Sequence, residues 1–443
     1  MIDEKIFKSY DIRGIYPQEL NEQAAYAIGR AFARRAQAKE IIVGSDMRLS
    51  GPQLKVELIR GITDEGADVL DVGLVTIDAV YFAIGILKHE AGIMITASHN
   101  PKEYNGFKMA LKDMEWVRGQ DLKDDALNLP AEIADIKGQV KQLDILPKYI
   151  DHVLSFCDLK KIKPKKIVVD AGNGMAGLIT PLLQKYLPGE FISLNFDLDG
   201  NFPAHPSNPL MPESQIQITQ AVVKNKADFG VIFDGDTDRL FFVDEKGKFI
   251  RADYTLLILA REFLNRQPGA GIVYNAICSK VVPEKIKEWG GLAHRCKVGF
   301  VNVSAKVKET NSAMGGELSA HYCFRDNAYS DSGFIAFVLL LQLLSENDRP
   351  LSAIVSDFEV YAKSDEINIE VSDWKAVIEE LKKKYQDGKQ DELDGLTVEY
   401  ENWWFNVRPS NTEPLLRVTI ETADEKILAA KKDELIDMIQ NVK

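Results

Sequence analysis

Three times along this chain a strand–helix–strand rhythm closes on a short apolar strand that runs directly into a polar loop. In the first pass, residues 40–44 (EIIVG) read as a buried strand, 53–61 as a helix, and 69–73 and 91–97 as further strands. The second pass opens at 166–170, turns at Gly172-Asn173-Gly174, forms a helix over 176–186 and closes on the strand 227–233. The third opens at 271–274, continues through a helix near 283–289 and closes at 313–317. This rhythm predicts mostly parallel sheets covered by helices on both faces. The loops that end the passes are Ser98-His99-Asn100, Asp234-Gly235-Asp236 and Glu317-Leu318-Ser319. Ligands of open α/β sheets sit outside the carboxyl ends of strands, so three such loops are expected to converge on one cleft.

The final block is different. Residues 366–371 alternate like a half-exposed strand, Asp373 caps a helix to about Tyr385, strands follow at 396–400 and 416–421, and a last helix starts near Asp424. The expected organisation is three related mixed-sheet α/β domains, 1–150, 151–251 and 252–362, and a C-terminal α+β domain, 363–443, around a central cleft.

Charge and composition narrow the function. The net charge of −13 disfavours nucleic acid as a partner, because a phosphate backbone needs a basic surface. The longest apolar run, 333–344, is too short to span a bilayer, and Met1 to Lys5 lack the apolar core of a signal peptide. Cys157, Cys278, Cys296 and Cys323 form no metal or redox pair. These features point to a cytoplasmic enzyme with no membrane or nucleic-acid partner. The chain shows no sustained heptad, so monomer and homodimer both stay open.

The strongest chemical signal is Asp234-Gly235-Asp236-Thr237-Asp238-Arg239. Three carboxylates at alternate positions after a buried strand gather hard oxygens, which suits Mg²⁺. An EF-hand loop shares the spacing of Asp234, Asp236, Asp238 and Glu245, but Arg239 stands where its sharp turn needs Gly. A phosphatase with Asp234 as nucleophile is a third reading. In Thr96-Ala97-Ser98-His99-Asn100-Pro101 a Ser leaves a strand beside His99, although an Asn-Pro turn with incidental neighbours would look the same. Lys108, ten residues after Ser98, can return to that site as a base or counter-charge, although surface exposure is the commoner fate of such a lysine. In Gly315 to His321, Glu317 and Ser319 alternate so as to face adjacent sugar hydroxyls, unless the run is simply a Gly-rich turn. Arg408-Pro409-Ser410-Asn411-Thr412-Glu413-Pro414, with Arg417 beyond, has the makings of an anion cradle or of an ordinary polar turn. Trp403 and Trp404 read as packing residues, and the loop from Asp197 to Pro203 with His205 is a weak signal by itself.

Taken together, these motifs and Phe7-Lys8-Ser9-Tyr10-Asp11-Ile12-Arg13-Gly14 resemble the α-D-phosphohexomutase family, most closely its phosphomannomutase/phosphoglucomutase branch. The resemblance runs nearly end to end. It implies that Ser98 is the phosphorylated active-site serine, and that Asp234, Asp236, Asp238 and a phosphate oxygen on Ser98 hold one Mg²⁺. It further implies that Glu317 and Ser319 read sugar hydroxyls, that Arg408, Ser410, Asn411 and Thr412, with Arg417, clamp the phosphate not being transferred, and that Arg13, Lys108, Arg239 and His99 serve the reacting group. The implied reaction interconverts hexose 6-phosphate and hexose 1-phosphate, most plainly of mannose, through a hexose 1,6-bisphosphate. A phosphoglucomutase, a dual-specificity mutase and a non-catalytic sugar-phosphate binder are the alternatives. Ile277 and Phe300 depart from the family pattern, which often has a cation and a His there, and Lys280 or Lys297 is a candidate substitute. An acidic exterior around a cationic, metal-loaded site is therefore expected.

Overall fold

The computed structural model describes residues 2–410 and 415–441. They form two compact units: Met1–Arg251 with Ser319–Ser352, and Ala252–Leu318 with Ala353–Lys443. No helix among the described residues is long and apolar enough to cross a membrane.

The first unit contains two sheets built on central strands that are buried along their whole length, Ala91–Ile95 and Phe229–Phe233. Such unbroken apolar runs suit strands covered on both faces. In the first sheet, Ala91–Ile95 pairs in parallel with Glu40–Ser45, which pairs in parallel with Asp68–Leu74. Tyr104–Leu111 then adds antiparallel to Ala91–Ile95, and Ile12–Ile15 antiparallel to Tyr104–Leu111. This return carries Lys108 into register with Met94. In the second sheet, Lys165–Asp170 lies parallel to Gly189–Leu194 and to Phe229–Phe233, and Leu240–Asp244 returns antiparallel. The mixed sheets expected for these blocks are present, with the antiparallel pairings on one side of each sheet.

The helices Glu22–Ala36 and Gly51–Asp64 cross at glycines. A Cβ on Gly29 would lie 2.3 Å from Leu58 O, and one on Gly61 2.2 Å from Tyr26 O. The longest apolar run of the chain becomes the helix Gly333–Glu346, apolar on nearly every side and buried accordingly. Its N-cap, Ser332, accepts from Ile335 N and donates to Asp78 Oδ2 at 2.7 Å.

In the second unit, Gly271–Asn275 lies parallel between Leu292–Cys296 and Met314–Gly316. Residues 362–422 supply an all-antiparallel sheet in the order 362–363, 415–422, 403–409, 396–399, 389–391, with 367–370 also on 415–422. Its core gathers Leu381, Leu396, Phe405, Val407, Leu416, Val418 and Leu435. Trp403 stacks on Tyr400 with ring centroids 5.0 Å apart, and Trp404 is buried, so both pack as expected.

Candidate active site

Two strand ends of the first unit bring the phosphoserine candidate to the carboxylates. Ala91–Ile95 and Phe229–Phe233 deliver Ser98 and Asp234, whose Oγ and Oδ2 lie 2.7 Å apart with the hydroxyl donating. Ser98 is buried and adopts a left-handed backbone, φ 49°, which is uncommon for a residue with a Cβ. Its N–H donates to Thr96 Oγ1, and that hydroxyl donates to Asp236 Oδ2 at 3.0 Å. Gly235 is required here for a steric reason, since a Cβ would lie 2.6 Å from Ser98 O.

The second loop is shaped by its own carboxylate. Asp234 Oδ1 accepts from Thr237 N and Arg239 N, curling the chain so that Asp236 and Asp238 turn to the same point. Ligand oxygens of Asp234, Asp236 and Asp238 lie within 4.8 Å of one another, and all three residues are buried. Asp236 Oδ1 has no hydrogen-bond partner and Asp238 Oδ1 faces the His321 ring at 3.4 Å, so a desolvated oxygen of Asp236 is left for a hard cation. This donor set fits a divalent ion such as Mg²⁺.

The cations stand among these acids. Lys108 Nζ donates to Asp236 Oδ2 at 2.9 Å and also to Asp238 Oδ2. The lysine is buried rather than at the surface where such residues usually lie. Desolvation would release its proton, but Asp236 and Asp238 outweigh that and raise its pKa. Arg13 bonds Asp11 and Asn100 Oδ1, and Arg239 Nε lies 3.9 Å from Asp234 Oδ2. Burial and crowding by Asp238 and Asp236 push Asp234 well above the usual carboxylate range. Burial also acts to raise Asp238, but Lys108 and His321 overcome it and hold that carboxyl well below the usual range. His99 Nδ1 lies 3.3 Å from Ser98 Oγ, and burial beside Arg239 and Arg13 keeps the ring neutral.

Not every expected residue falls in this cluster. Ser319 reaches it through His321, whose Nδ1 is 3.0 Å from Ser319 Oγ and whose Nε2 is 3.3 Å from Arg239 Nε. Glu317 belongs to the second unit, where its Oε2 accepts from Asn275 Nδ2 at 3.3 Å and Gly299 N at 3.0 Å. Also in the second unit, Arg408 and Arg417 face each other across paired strands and share Glu366, at 2.6 and 3.0 Å. Ser410 follows at the strand end, while Asn411 and Thr412 lie outside the described residues. Ile277 is buried and its carbonyl accepts from Lys363 Nζ. Lys280 Nζ pairs with Glu399 at 3.3 Å.

Four further residues beside these side chains, three in the first unit and one in the second, carry no expectation from sequence. His321 closes the Gly315 to His321 run and sits 3.4 Å from Asp238 Oδ1. Asp331, pushed up to about 7 by burial and by Asp238, faces the same ring at 4.0 Å. Arg48 and Glu366 complete the set. Alternation along the run was the one signal that pointed toward His321. For Arg48 and Glu366 the partners are remote in sequence.

The comparisons with known proteins agree with this geometry. Models of the phosphoglucomutase/phosphomannomutase family match in chain order: alpha/beta/alpha domains I, II and III at residues 4–120, 147–247 and 251–361, and the C-terminal domain at 366–438. A protein of Xanthomonas campestris pv. campestris named "Phosphohexose mutases" is 38% identical over 442 residues, 98% of this chain and 99% of that protein. A phosphomannomutase of Methanocaldococcus jannaschii is 37% identical over 451 residues, 99% of this chain and 98% of that protein. The crystal structure of a phosphoglucomutase/phosphomannomutase family protein from Burkholderia thailandensis superposes with a TM-score of 0.90 at 34% identity, covering 100% of this chain and 98% of that one. With a hydroxyl seated against three buried carboxylates and all four domains matched, the chain belongs to the phosphoglucomutase/phosphomannomutase family and is a phosphohexomutase.

Proposed function

We propose that this enzyme interconverts mannose 6-phosphate and mannose 1-phosphate, with Ser98 carrying the phosphoryl group and a hexose 1,6-bisphosphate as intermediate and activator. The observation that carries the reading is the Ser98 hydroxyl, 2.7 Å from Asp234 of the carboxylate triad, with Lys108 on Asp236, Arg239 near Asp234 and Arg13 on Asn100 of the same loop. The names of the relatives, phosphomannomutases prominent among them, support the choice of sugar.

In the forward step a sugar hydroxyl attacks the phosphorus of phospho-Ser98. The new O–P bond forms as the Ser98 Oγ–P bond breaks. The hydroxyl proton passes to a base of the site, and Ser98 Oγ takes up a proton to restore the serine. Neutral His99, 3.3 Å from Ser98 Oγ, is positioned for that exchange at Nδ1. The intermediate then reverses its orientation and returns its other phosphoryl group to Ser98. Lys108, Arg13 and Arg239 offset charge on the transferred group, which is most of what phosphoryl transfer asks of a protein. Asp234, Asp236 and Asp238 would hold a Mg²⁺ beside the phosphoryl group of Ser98, and that ion would supply further positive charge there. Glu317 and Ser319 read the sugar hydroxyls, and Arg408, Ser410, Asn411, Thr412 and Arg417 hold the other phosphate.

The same reading assigns domains at 1–150, 151–251, 252–362 and 363–443, a cytoplasmic location and a monomeric or homodimeric state. A panel of the 1-phosphates of mannose, glucose and glucosamine, run with bisphosphate activator, tests it. Mannose phosphate should turn over with the highest kcat/KM. Acid-stable phosphate should map to the Ser98 peptide, and Ser98→Ala should lose mutase activity. Turnover of none of the three sugars, or phosphate release through an acid-labile acyl phosphate, would overturn it.

A further inference from the structure

The conformation of the Ser98 loop is not self-supporting. Ser98 sits at φ 49°, and a residue with a Cβ holds such a backbone only where its surroundings impose it. Beside Thr96 and Asp234, one buried side chain braces the loop through its carbonyls. Arg48 lies just beyond the strand Glu40–Ser45 and is 1% exposed. Its Nη2 donates to Ser98 O and Asn100 O, both at 2.7 Å. Its Nη1 donates to Pro101 O at 2.8 Å and Tyr104 O at 2.9 Å. All four bonds fall on main-chain carbonyls of the Ser98 loop and the first residue of the strand it leads into, so the guanidinium acts as a template for the loop's path. The two prongs of a planar fork fix direction as well as distance, which a point charge cannot do.

The fork is itself held from two sides. Asp46 Oδ2 lies 3.3 Å from Arg48 Nε. On the other side, the ring of Phe202 stacks 5.1 Å from the guanidinium carbon. Phe202 arrives there from the turn Asp199-Gly200-Asn201-Phe202, which presses on the chain next to Arg48. A Cβ on Gly200 would meet Leu49 N and Met47 O at 2.8 Å. This gives the weak 199–203 motif a physical task. It supplies the ring against which the guanidinium lies.

We propose that Arg48, backed by Phe202, is the positioning residue of the phosphoryl carrier. It holds the peptide of Ser98 so that Oγ meets the Asp234 carboxylate, and it acts through the loop without touching substrate. The proposal rests on Ser98 being the phosphoryl carrier. Misplacing a reacting atom by about 1 Å costs on the order of 10²-fold in rate. Loss of the fork should therefore fall on kcat.

Arg48→Lys keeps the charge and removes the fork. Steady-state kinetics on the hexose phosphate, well below the variant's Tm, should show kcat down about 10- to 100-fold with KM within about threefold. Phosphorylation of Ser98 by hexose 1,6-bisphosphate, followed by mass spectrometry, should slow in parallel. A residue that only stabilised the fold would lower Tm and leave both rates intact, and that result would overturn the proposal. Phe202→Leu keeps apolar bulk and removes the stacked ring. It should lower kcat by about three- to tenfold at unchanged KM, and unchanged kcat in this variant would also count against the proposal. It carries the test alone should Arg48→Lys not fold. Ser98→Ala in the same series separates the two levels. Full mutase activity there would sink the carrier assignment, whereas an inactive Ser98→Ala beside a fully active Arg48→Lys would sink only the positioning role.

Discussion

Asp78 offers a quantitative test of how the metal loop is supported. It is fully buried in the first turn of the helix Ile77–Gly85. Its carboxyl accepts from Tyr149 OH at 2.5 Å, Ser332 Oγ at 2.7 Å and Thr237 Oγ1 at 3.3 Å. It thereby ties the metal loop, whose Thr237 has φ 76°, to the N-terminus of the buried helix Gly333–Glu346. Burial raises its pKa from 3.8 to about 6, with the hydroxyl bonds opposing and Asp238 adding to the rise. Between 3.8 and about 6 the folded chain therefore holds a proton that the unfolded chain has lost. The stabilising contribution is complete below 3.8 and is lost as pH rises through about 6. That displacement corresponds to on the order of 3 kcal/mol. Asp78→Asn cannot ionise and keeps an acceptor for the hydroxyls. Urea unfolding of both proteins at pH 4, 5, 6 and 7 should show the wild type losing about 3 kcal/mol relative to the variant, most steeply between pH 4 and 6. A difference in stability that is flat across this range would refute the burial argument.

Three other perturbations follow from contacts already described. Gly29→Ala puts a Cβ 2.3 Å from Leu58 O, so the helix pair must separate, and calorimetry should show a stability loss of about 1–3 kcal/mol or more; an unchanged Tm would contradict that crossing. Glu366→Gln removes the charge that lets Arg408 and Arg417 lie opposite each other, and KM for hexose phosphate should rise about fivefold, near 1 kcal/mol, with kcat little changed. A lower KM would mean that Glu366 competes with phosphate and does not buttress the arginines. Lys108→Met frees Asp236 Oδ2 and Asp238 Oδ2 from an ammonium, so Mg²⁺ should bind at least as tightly by calorimetric titration while kcat falls by about 10²-fold or more. Weaker Mg²⁺ binding would show that the lysine organises the triad.

Much of this site was legible in the sequence because the strands that carry it are buried on both faces. Ala91–Ile95 and Phe229–Phe233 are unbroken apolar runs, and the change to polar residues at their ends marks Ser98 and Asp234 directly. Strands of mixed composition are harder to read. Tyr104–Leu111 mixes Asn, Gly, Phe and Lys, and whether Lys108 is buried depends on carboxylates 128 and 130 residues away. Arg48 is beyond local inference for the same reason, since all four of its carbonyl partners lie 50 to 56 residues downstream. Glu366 meets Arg408 only through strand register, 42 residues apart. Local pattern thus exposes residues whose place is set by their own strand, whereas residues set by a partner's strand need the topology.

The charge balance of the site leads to a last prediction. A net charge of −13 around a phosphate-handling centre suggested a cationic pocket within an acidic exterior. In the first unit, however, every cation of the site already faces an acid: Arg13 has Asp11, Lys108 has Asp236 and Asp238, and Arg239 stands near Asp234. Counted for these ion pairs alone and with every group ionised, four carboxylates meet three cations, −1 without and +1 with a divalent ion bound. The sign that an approaching phosphate meets therefore depends on the metal. Burial deepens the effect, because charges in a low-dielectric site are poorly screened. Equilibrium binding of mannose 1-phosphate to the unphosphorylated enzyme should then weaken about tenfold or more when Mg²⁺ is removed by chelation, a difference of about 1.4 kcal/mol or more. High salt should leave most of that difference in place, since buried charges are screened far less than exposed ones. Equal affinity with and without Mg²⁺ would mean that the triad's charge is already neutralised, most simply by protonation of Asp234, and the metal would then act on the reaction and not on binding.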